Sequence, residues 1–365
     1  MRIGVPRESV AGERRVALVP ESIGRLTKAG ATVVVERGAG EAAGLLDAAY
    51  EAAGATLGSA ADVWGADLVV KVQRPTSDEV SGLRAGGYLL SYLNPASGDQ
   101  SGIAAKRVTA FAFELVPRTT LAQAMDTLSS QATLAGYKGV LLGAAELPRI
   151  LPMLTTAAGT LAPAKVFIIG AGVAGLQAIA TARRLGGVVS GFDVRAAARE
   201  QIASLGATPI GGDLPTAEGS GGYAKELAAE QARQVEQLLA EHLKGQDLVI
   251  TTAQIPGRPA PRLITEAMVR AMKPGSVIVD LAAESGGNCE VTKAGETVTV
   301  QGVKVVGPVN LPSTLPLHAS QMFSRNVMTF VLRFLKEGAF APDLNDEIAG
   351  PMCVTHDGQV RARGA

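Results

Sequence analysis

Short apolar runs rich in β-branched residues alternate with amphipathic helical segments along nearly the whole 365-residue chain. Strands that alternate with helices in this way build parallel sheets covered by helices. A length of 365 residues favours two domains of this kind. The sequence therefore predicts an α/β fold with parallel sheets. The strand-like runs are 2–5, 31–36, 67–72, 88–93 and 108–115, followed by 165–169, 188–192, 247–253, 276–283 and 303–309.

Two long helical segments accompany these runs. One covers 121–147, between the first five runs and the last five, and the other covers 319–339 and has a broad apolar face. We expect the second segment to cross back to the first domain, which would then be discontinuous and completed by the C-terminal segment. The predicted domains are residues 1–128 with 318–365, and residues 129–317.

A glycine-rich turn follows the first apolar run of the second series. Gly170, Gly172 and Gly175 have GxGxxG spacing between a strand and a helix. In a dinucleotide-binding turn, the first glycine allows a tight turn, the second lets the pyrophosphate approach, and the third lets helix pack on strand. The helix would begin near Val173 and Ala174 and offer N–H groups to the phosphates. The motif predicts a cofactor site, and we expect two Rossmann-like domains.

An acidic residue, Asp193, ends the next apolar run, eighteen residues after Gly175. A carboxylate at this place binds the ribose hydroxyls of NAD(H). On its own Asp193 would be read as a helix cap, but the strand, the glycines and the spacing together favour NAD(H). Arg195 could hold the 2′-phosphate of NADP(H), yet Asp193 would repel that phosphate.

A second glycine-rich stretch, 206–227, contains Gly222 and Tyr223. Its length and glycine content predict a mobile segment. Two interpretations stay open: a surface loop with a glycine hinge, or a lid that closes Gly222 and Tyr223 over a bound nucleotide.

Charge and cysteine content exclude several classes of function. The 34 basic and 34 acidic residues cancel, so the net charge does not point to nucleic acid or to an anionic membrane. Cys289 and Cys353 stand far apart and outside any CxxC pattern, which argues against a structural zinc site and fits a reducing compartment. The charged start and the lack of a long apolar stretch predict a soluble, cytoplasmic chain.

Polar side chains crowd into residues 117–131, PRTTLAQAMDTLSSQ, although an ordinary linker favours Gly, Pro and Ser. Gln123, Asp126 and Ser129 recur every three residues, which predicts one face of a helical start, and Arg118 precedes them. A polar helix N-terminus after Thr119 or Thr120 is the alternative to a binding site.

Histidines are scarce: His242, His318 and His356 are the only ones, and none precedes residue 242. A dehydrogenase that acts on an alcohol or an amine moves a proton as well as a hydride and needs an acid–base group. His242 lies in a charged helical segment and is expected to be a solvated surface residue. The pattern shows no proton-moving apparatus.

Several blocks, in this order along the chain, resemble one family. The family is the NAD(H)-binding alpha subunit, or its first domain, of proton-translocating nicotinamide nucleotide transhydrogenase, with a more distant resemblance to alanine dehydrogenase. The blocks are MRIGVPRE, GERRVALVP, KVQRP, RTTLAQAMDTLSSQATLAGY, GAGVAGLQAIATARRLG, FDVR, GGYAKE, TTAQIPGRPAP and MKPGSVIVDLAAESGGNCE.

The resemblance implies roles for particular residues. Arg118, Gln123 and Asp126 would act at the nicotinamide, with Ser129 beside them. Hydride would pass directly between two nicotinamides, so the site needs placement of the rings rather than acid–base chemistry. The other implied NAD(H) contacts are the Asp193-Val194-Arg195 ribose end, the Gly222–Tyr223 loop and Ala253 on the nicotinamide side.

The resemblance also implies partners. Separate subunits would supply the NADP(H) site and the membrane-spanning proton channel. The chain would be a homodimer in the cytoplasm, peripheral to the inner membrane through those subunits, and inward proton flow would drive hydride from NADH to NADP⁺.

Two other functions stay open. In alanine dehydrogenase an arginine and a lysine hold the substrate carboxylate, and Arg15 and Lys71 match them, but Asn94 stands where that family has its catalytic histidine. An asparagine cannot shuttle a proton. A non-catalytic module that senses NAD(H) is the third interpretation.

Overall fold

The fold is that of a computed structural model, which describes residues 1–96, 98–212, 229–254 and 258–361. The chain forms two compact units: Met1–Gln131 with Pro312–Ala365, and Ala132–Leu311. Each unit contains its own large sheet with helices, so the expected α/β fold class is confirmed. The boundaries predicted after residue 128 and before residue 318 stay a prediction for the folding domains.

The N-terminal segment supplies the parallel part of the first sheet, with strand order β3-β2-β1-β4-β5-β6. Val33, Val34 and Val35 of β2 are all buried, as expected for a parallel strand that helices cover on both faces. Its strands are β1 (Arg2–Val5), β2 (Thr32–Glu36), β3 (Thr56–Gly58), β4 (Leu68–Val70), β5 (Tyr88–Ser91) and β6 (Thr109–Ala112), with helices α1 (Pro20–Lys28), α2 (Asp47–Ala52), α3 (Ala60–Trp64), α4 (Ser77–Gly82) and α5 (Ser101–Ala105).

The second unit contains a sheet of order β11-β10-β9-β12-β13-β15-β14. Strand order reverses at β9, and ligands of such sheets bind at the carboxyl ends of the strands at this switch point. After α6 (Thr127–Glu146), the elements are β7 (Leu154–Thr156), β8 (Gly159–Leu161), β9 (Lys165–Ile169), α7 (Val173–Arg184), β10 (Val188–Phe192), α8 (Ala196–Ser204), β11 (Thr208–Pro209), α9 (Ala229–Leu243), β12 (Leu248–Thr251), α10 (Glu266–Arg270), β13 (Val277–Asp280), β14 (Thr297–Val300) and β15 (Val303–Val306).

The C-terminal segment returns to the first unit. Phe323 and Phe330 of its long helix pack on Phe113 and Phe111 of the first unit, with ring centroids 5.2 and 5.3 Å apart. The last strands extend the first sheet in the antiparallel sense beyond β6. The elements are α11 (Pro316–Phe334), β16 (Leu335–Lys336), β17 (Ala339–Phe340), α12 (Ala349–Met352), β18 (Cys353–His356) and β19 (Gln359–Val360).

The sheets are not parallel throughout, which corrects the sequence prediction. β14 pairs with β15, and β18 with β19, in the antiparallel sense. The turns that join them are Gln301–Gly302 and Asp357–Gly358, in which both residues have positive φ, the pattern of a two-residue hairpin. The same kind of turn at 337–338 joins β16 to β17 and ends the helix expected over 319–339 at Phe334.

Candidate functional site

The glycine-rich turn lies at the carboxyl end of β9, where the strand order of the second sheet reverses. Gly170 has φ +94°, and a Cβ there would lie 2.6 Å from Thr252 Oγ1. A Cβ on Gly175 would lie 1.8 Å from the carbonyl oxygen of Gly170. The tight turn and the close packing of α7 on β9 therefore need both glycines.

Gly172 differs from its two neighbours in the motif. Its φ of −76° suits any residue, and among the described residues a Cβ there would meet no atom within 4 Å. The packing of the described residues therefore does not explain a glycine at this position. Gly172 precedes Val173 and Ala174, the first residues of α7. The N–H groups of the first residues of a helix have no acceptor within the helix. Gly172 and these N–H groups, here called the cradle, have the features that a pyrophosphate site requires.

A second glycine places the start of α7. A Cβ on Gly136 of α6 would lie 2.1 Å from the carbonyl oxygen of Ala174. Only a glycine lets α6 come this close to the first turn of α7. Gly136 was not predicted from the sequence, and its one available signal was its place in the block RTTLAQAMDTLSSQATLAGY.

Asp193 follows β10 and is buried, with 7% of its surface exposed. One carboxylate oxygen, Oδ2, accepts hydrogen bonds from Ala171 N at 2.8 Å and from Arg195 Nη2 at 2.8 Å. The other, Oδ1, accepts from Arg195 N at 3.0 Å and Nε at 2.9 Å. Burial alone would raise the pKa of Asp193, but the hydrogen bonds from Arg195 and Ala171 lower it below its ordinary value. Asp193 is therefore ionised at neutral pH and joins β9, β10 and α8.

Ala253 comes shortly after β12, at the same edge of the second sheet. The side chain of Asn288, which is fully buried, holds it on both sides: Ala253 N donates to Oδ1 at 2.9 Å, and Nδ2 donates to Ala253 O at 2.8 Å. Asn288 was not predicted from the sequence. This amide fixes the backbone that follows β12 next to Gly170, whose Cβ would lie 3.1 Å from Ala253 N.

The polar segment of the first unit is not one helical face, which corrects the sequence prediction. Gln123–Met125 is a short 3-10 turn, and Asp126 has ψ 92° and lies outside any helix. Its carboxylate accepts hydrogen bonds from Ser129 N at 2.9 Å and Ser129 Oγ at 2.5 Å. Asp126 therefore caps α6, a helix that begins at Thr127 and not after Thr119 or Thr120, where the alternative of a polar helix N-terminus had placed its start. Arg118 and Gln123 are exposed.

A buried ionic cluster lies at the carboxyl ends of β1 and β4. The Arg15 guanidinium donates from Nε to Glu13 Oε1 at 2.8 Å, from Nη2 to Glu13 Oε2 at 2.6 Å, and from Nη1 to Gln131 at 2.9 Å. Burial opposes ionisation of Glu13, but the hydrogen bonds and charge of Arg15, with a hydrogen bond from Gln73, lower its pKa to about 2. Arg15 is thus already paired with a carboxylate of its own chain.

Lys71 is paired in the same way. Its side chain is fully buried, and Nζ lies 2.7 Å from Glu8 Oε2 and 3.6 Å from Glu79 Oε1. Burial raises the pKa of Glu8, although Lys71 and the Val72 N–H partly offset this effect. The arginine and the lysine that match the substrate-binding pair of alanine dehydrogenase are therefore both engaged by carboxylates of this chain.

Asn94 and His242 also bear on acid–base chemistry. Asn94 has φ +49°, and its N–H donates to Glu114 Oε1 at 2.6 Å. The expectation that His242 is solvated is wrong: the ring is half-buried, 4.5 Å from that of Phe167, and Nε2 lies 2.9 Å from Ser190 Oγ. It faces the sheet because it continues the apolar stripe of Val235 and Leu239 on α9. Burial lowers its pKa, so His242 is neutral at neutral pH.

Two predicted site residues, Gly222 and Tyr223, lie outside the described residues. Within the described ranges, no group of three or more His, Cys, Asp or Glu side chains could hold a metal ion. In the same ranges no helix combines the length and the apolar character needed to cross a membrane. The assignment of the described site residues to a bound nucleotide stays a prediction.

The fold is that of a two-unit α/β protein with a GxGxxG turn at the switch point of its second sheet. Family models for the N-terminal and C-terminal domains of alanine dehydrogenase/PNT match residues 4–135 and 139–363. The chain belongs to this family, as the sequence blocks predicted.

Its relatives include both branches of the family. The chain is 44% identical to NAD(P) transhydrogenase subunit alpha of Haemophilus influenzae, over 98% of this chain and 71% of that protein. It is 31% identical to alanine dehydrogenase of Mycolicibacterium smegmatis, over 99% and 94%. A crystal structure of transhydrogenase from Sinorhizobium meliloti superposes with a TM-score of 0.91 at 47% identity, covering 99% of this chain and all of that one.

Proposed function

We propose that this chain is the NAD(H)-binding subunit of a proton-translocating transhydrogenase. It passes hydride between NADH and NADP⁺ held on a partner subunit, and a membrane-spanning subunit couples the transfer to proton translocation. The chain forms a homodimer in the cytoplasm and is peripheral to the inner membrane through its partners. The relatives with the higher identity are transhydrogenases by name, and the following features of the described residues support the proposal.

The observation that carries the proposal is the open cradle at Gly172. The packing of the described residues does not require this glycine, so we infer that its role is to let a ligand approach the backbone, and the first N–H groups of α7 suit the pyrophosphate of NAD(H). Asp193, at the end of β10, accepts the ribose hydroxyls. Val194 and the backbone of Arg195 at the ribose end, and Ala253 beyond β12, complete the proposed contacts of the described residues.

The nicotinamide is placed by Gln123, Arg118, Asp126 and Ser129. The bound dinucleotide supplies the hydride-carrying ring, so the residues of this chain need to orient it and exclude water rather than exchange a proton. Asp126 and Ser129 are already locked together by two hydrogen bonds, while Gln123 is exposed in the preceding 3-10 turn. Gln123 and Arg118 are the exposed members of this group of four, so their side chains are accessible to an outside group.

A second candidate function, an alanine dehydrogenase, is favoured by the presence of both Arg15 and Lys71. The pairing of Arg15 with Glu13 and of Lys71 with Glu8 weakens it, because a substrate carboxylate would have to displace buried ion pairs. Asn94 in place of a histidine weakens it further, since the imine chemistry of that enzyme requires a proton carrier.

Two assays on the purified chain test the proposal. Equilibrium titration should show tighter binding of NADH than of NADPH; equal or tighter NADPH binding would overturn the assignment. The chain alone should not reduce NAD⁺ with alanine. Sustained alanine-dependent formation of NADH would make the alanine dehydrogenase interpretation correct. In a third assay, with the NADP⁺-loaded partner subunit added, NADH binding without hydride transfer would identify a sensing module instead.

A further inference from the structure

The carboxylate of Asp193 has no vacant acceptor position. A carboxylate offers about four lone-pair sites, and Asp193 accepts four hydrogen bonds, two on each oxygen. Two of the donors are backbone N–H groups, of Ala171 and Arg195, and they belong to the turns at the ends of β9 and β10. The other two, Nε and Nη2, belong to the Arg195 side chain.

A ribose diol needs acceptor positions on the same carboxylate. The backbone donors cannot leave without dismantling the turns after β9 and β10. The guanidinium can leave, because the Arg195 side chain is 22% exposed while that of Asp193 is 7% exposed. Arg195 therefore competes directly with the nucleotide for Asp193.

We propose that Arg195 sets the nucleotide selectivity of this site: its guanidinium occupies Asp193 in the empty protein, yields to the ribose diol of NAD(H), and would pair with a 2′-phosphate if Asp193 did not hold it. This inference rests on the proposed binding of NAD(H). Asp193 then selects against NADP(H) in two ways: it repels the phosphate, and it restrains the Arg195 guanidinium, a group that suits bidentate phosphate binding.

Single and double substitutions distinguish the role of Asp193 from that of Arg195. In Asp193→Asn the amide oxygen still accepts the Ala171 N–H, but the ion pair is gone and Arg195 is released. We expect adenosine 2′,5′-bisphosphate to bind about tenfold tighter or more, and NADH about tenfold weaker. The double variant Asp193→Asn/Arg195→Met should lose the gain for the bisphosphate. Arg195→Met alone should bind NADH at least as tightly as the wild type, because the competitor is removed.

The experiment is isothermal titration of the full chain with NADH, NADPH, AMP and adenosine 2′,5′-bisphosphate. Arg184→Met, at the exposed end of α7, is the control for removal of a positive charge and should change none of these affinities. Circular dichroism verifies that each variant is folded. Should Asp193→Asn not fold, the titration of Arg195→Met with NADH decides alone.

The outcomes that refute the role of Arg195 differ from the outcome that refutes NAD(H) binding. A gain for the bisphosphate that persists in the double variant, or no gain in folded Asp193→Asn, refutes the role of Arg195 and leaves NAD(H) binding intact. Weaker NADH binding by Arg195→Met, by tenfold or more, shows that the Arg195 side chain is a contact of the cofactor and not its competitor. A wild-type chain that binds none of the four nucleotides refutes the proposed function together with this inference.

Discussion

The substitution Gly172→Ala shows whether the glycine is required for ligand binding or for the stability of the fold. The added Cβ would meet no atom within 4 Å among the residues that the structure describes, and the φ of −76° suits alanine. Replacing glycine by alanine at a compatible position stabilises a protein by about 0.4–1 kcal/mol, because the unfolded chain loses freedom. The empty variant should therefore be as stable as the wild type or slightly more stable.

Binding of NADH should respond in the opposite direction. The methyl group enters the space through which a pyrophosphate reaches the N–H groups at the start of α7. One charge-assisted hydrogen bond contributes about 1.5–3 kcal/mol, and about 1.4 kcal/mol corresponds to tenfold in affinity. Loss of one such bond predicts NADH binding weaker by about 10-fold to 100-fold.

Two further glycines provide matched comparisons for Gly172→Ala. Gly175→Ala should destabilise the fold by on the order of 3 kcal/mol, because its Cβ would lie 1.8 Å from a backbone oxygen. Gly245→Ala, before β12, has its nearest neighbour at 3.7 Å and should change neither stability by much nor NADH affinity. Chemical denaturation and calorimetric titration measure both quantities. NADH affinity within twofold of wild type in Gly172→Ala would refute the proposal that the pyrophosphate binds at the Gly172 cradle.

Two other substitutions test the first unit. Gln123→Asn, shorter by one methylene, should leave the fold and NADH affinity nearly unchanged but slow single-turnover hydride transfer to partner-bound NADP⁺ by on the order of a hundredfold. Transfer at the wild-type rate would mean that Gln123 does not place the nicotinamide and that the segment is only a polar helix N-terminus. Glu13 has its pKa lowered from 4.5 to about 2, so its stabilising effect is complete above pH 4.5 and is lost as the pH falls toward 2, a change of about 3 kcal/mol. In denaturation at pH 5 and pH 2.5 the loss of stability should be smaller in Glu13→Gln, and equal losses in the two proteins would contradict the pairing with Arg15.

The sequence predicted the strands well because parallel, doubly covered strands are nearly continuous apolar runs. The run KVFII is β9 and the run VVSGF is β10, residue for residue. The position of Asp193 at the carboxyl edge followed from that alternation and from the spacing after Gly175. Two-residue hairpins such as Glu337–Gly338 were overlooked, because a single Gly within an otherwise helical pattern does not reveal positive φ at the residue before it.

Side-chain pairing is what the sequence did not predict. Asp126 was expected on a helix face, but capping α6 satisfies its carboxylate better than a place inside the helix. The engagement of Asp193 by Arg195 is set by the backbone path after β10, and the pairing of Arg15 with Glu13 by the loop before α1. The hydrophobic periodicity of the sequence does not predict either ion pair.

Isotope transfer tests the central claim most directly. The chain is combined with the proposed NADP(H)-binding and membrane-spanning partner subunits, and NADH that carries deuterium at the transferred C4 position is mixed with NADP⁺. Direct transfer between nicotinamides predicts that the deuterium appears in NADPH without dilution by solvent hydrogen. Formation of unlabelled NADPH, or the absence of transfer in a complex that binds both nucleotides, would contradict the account.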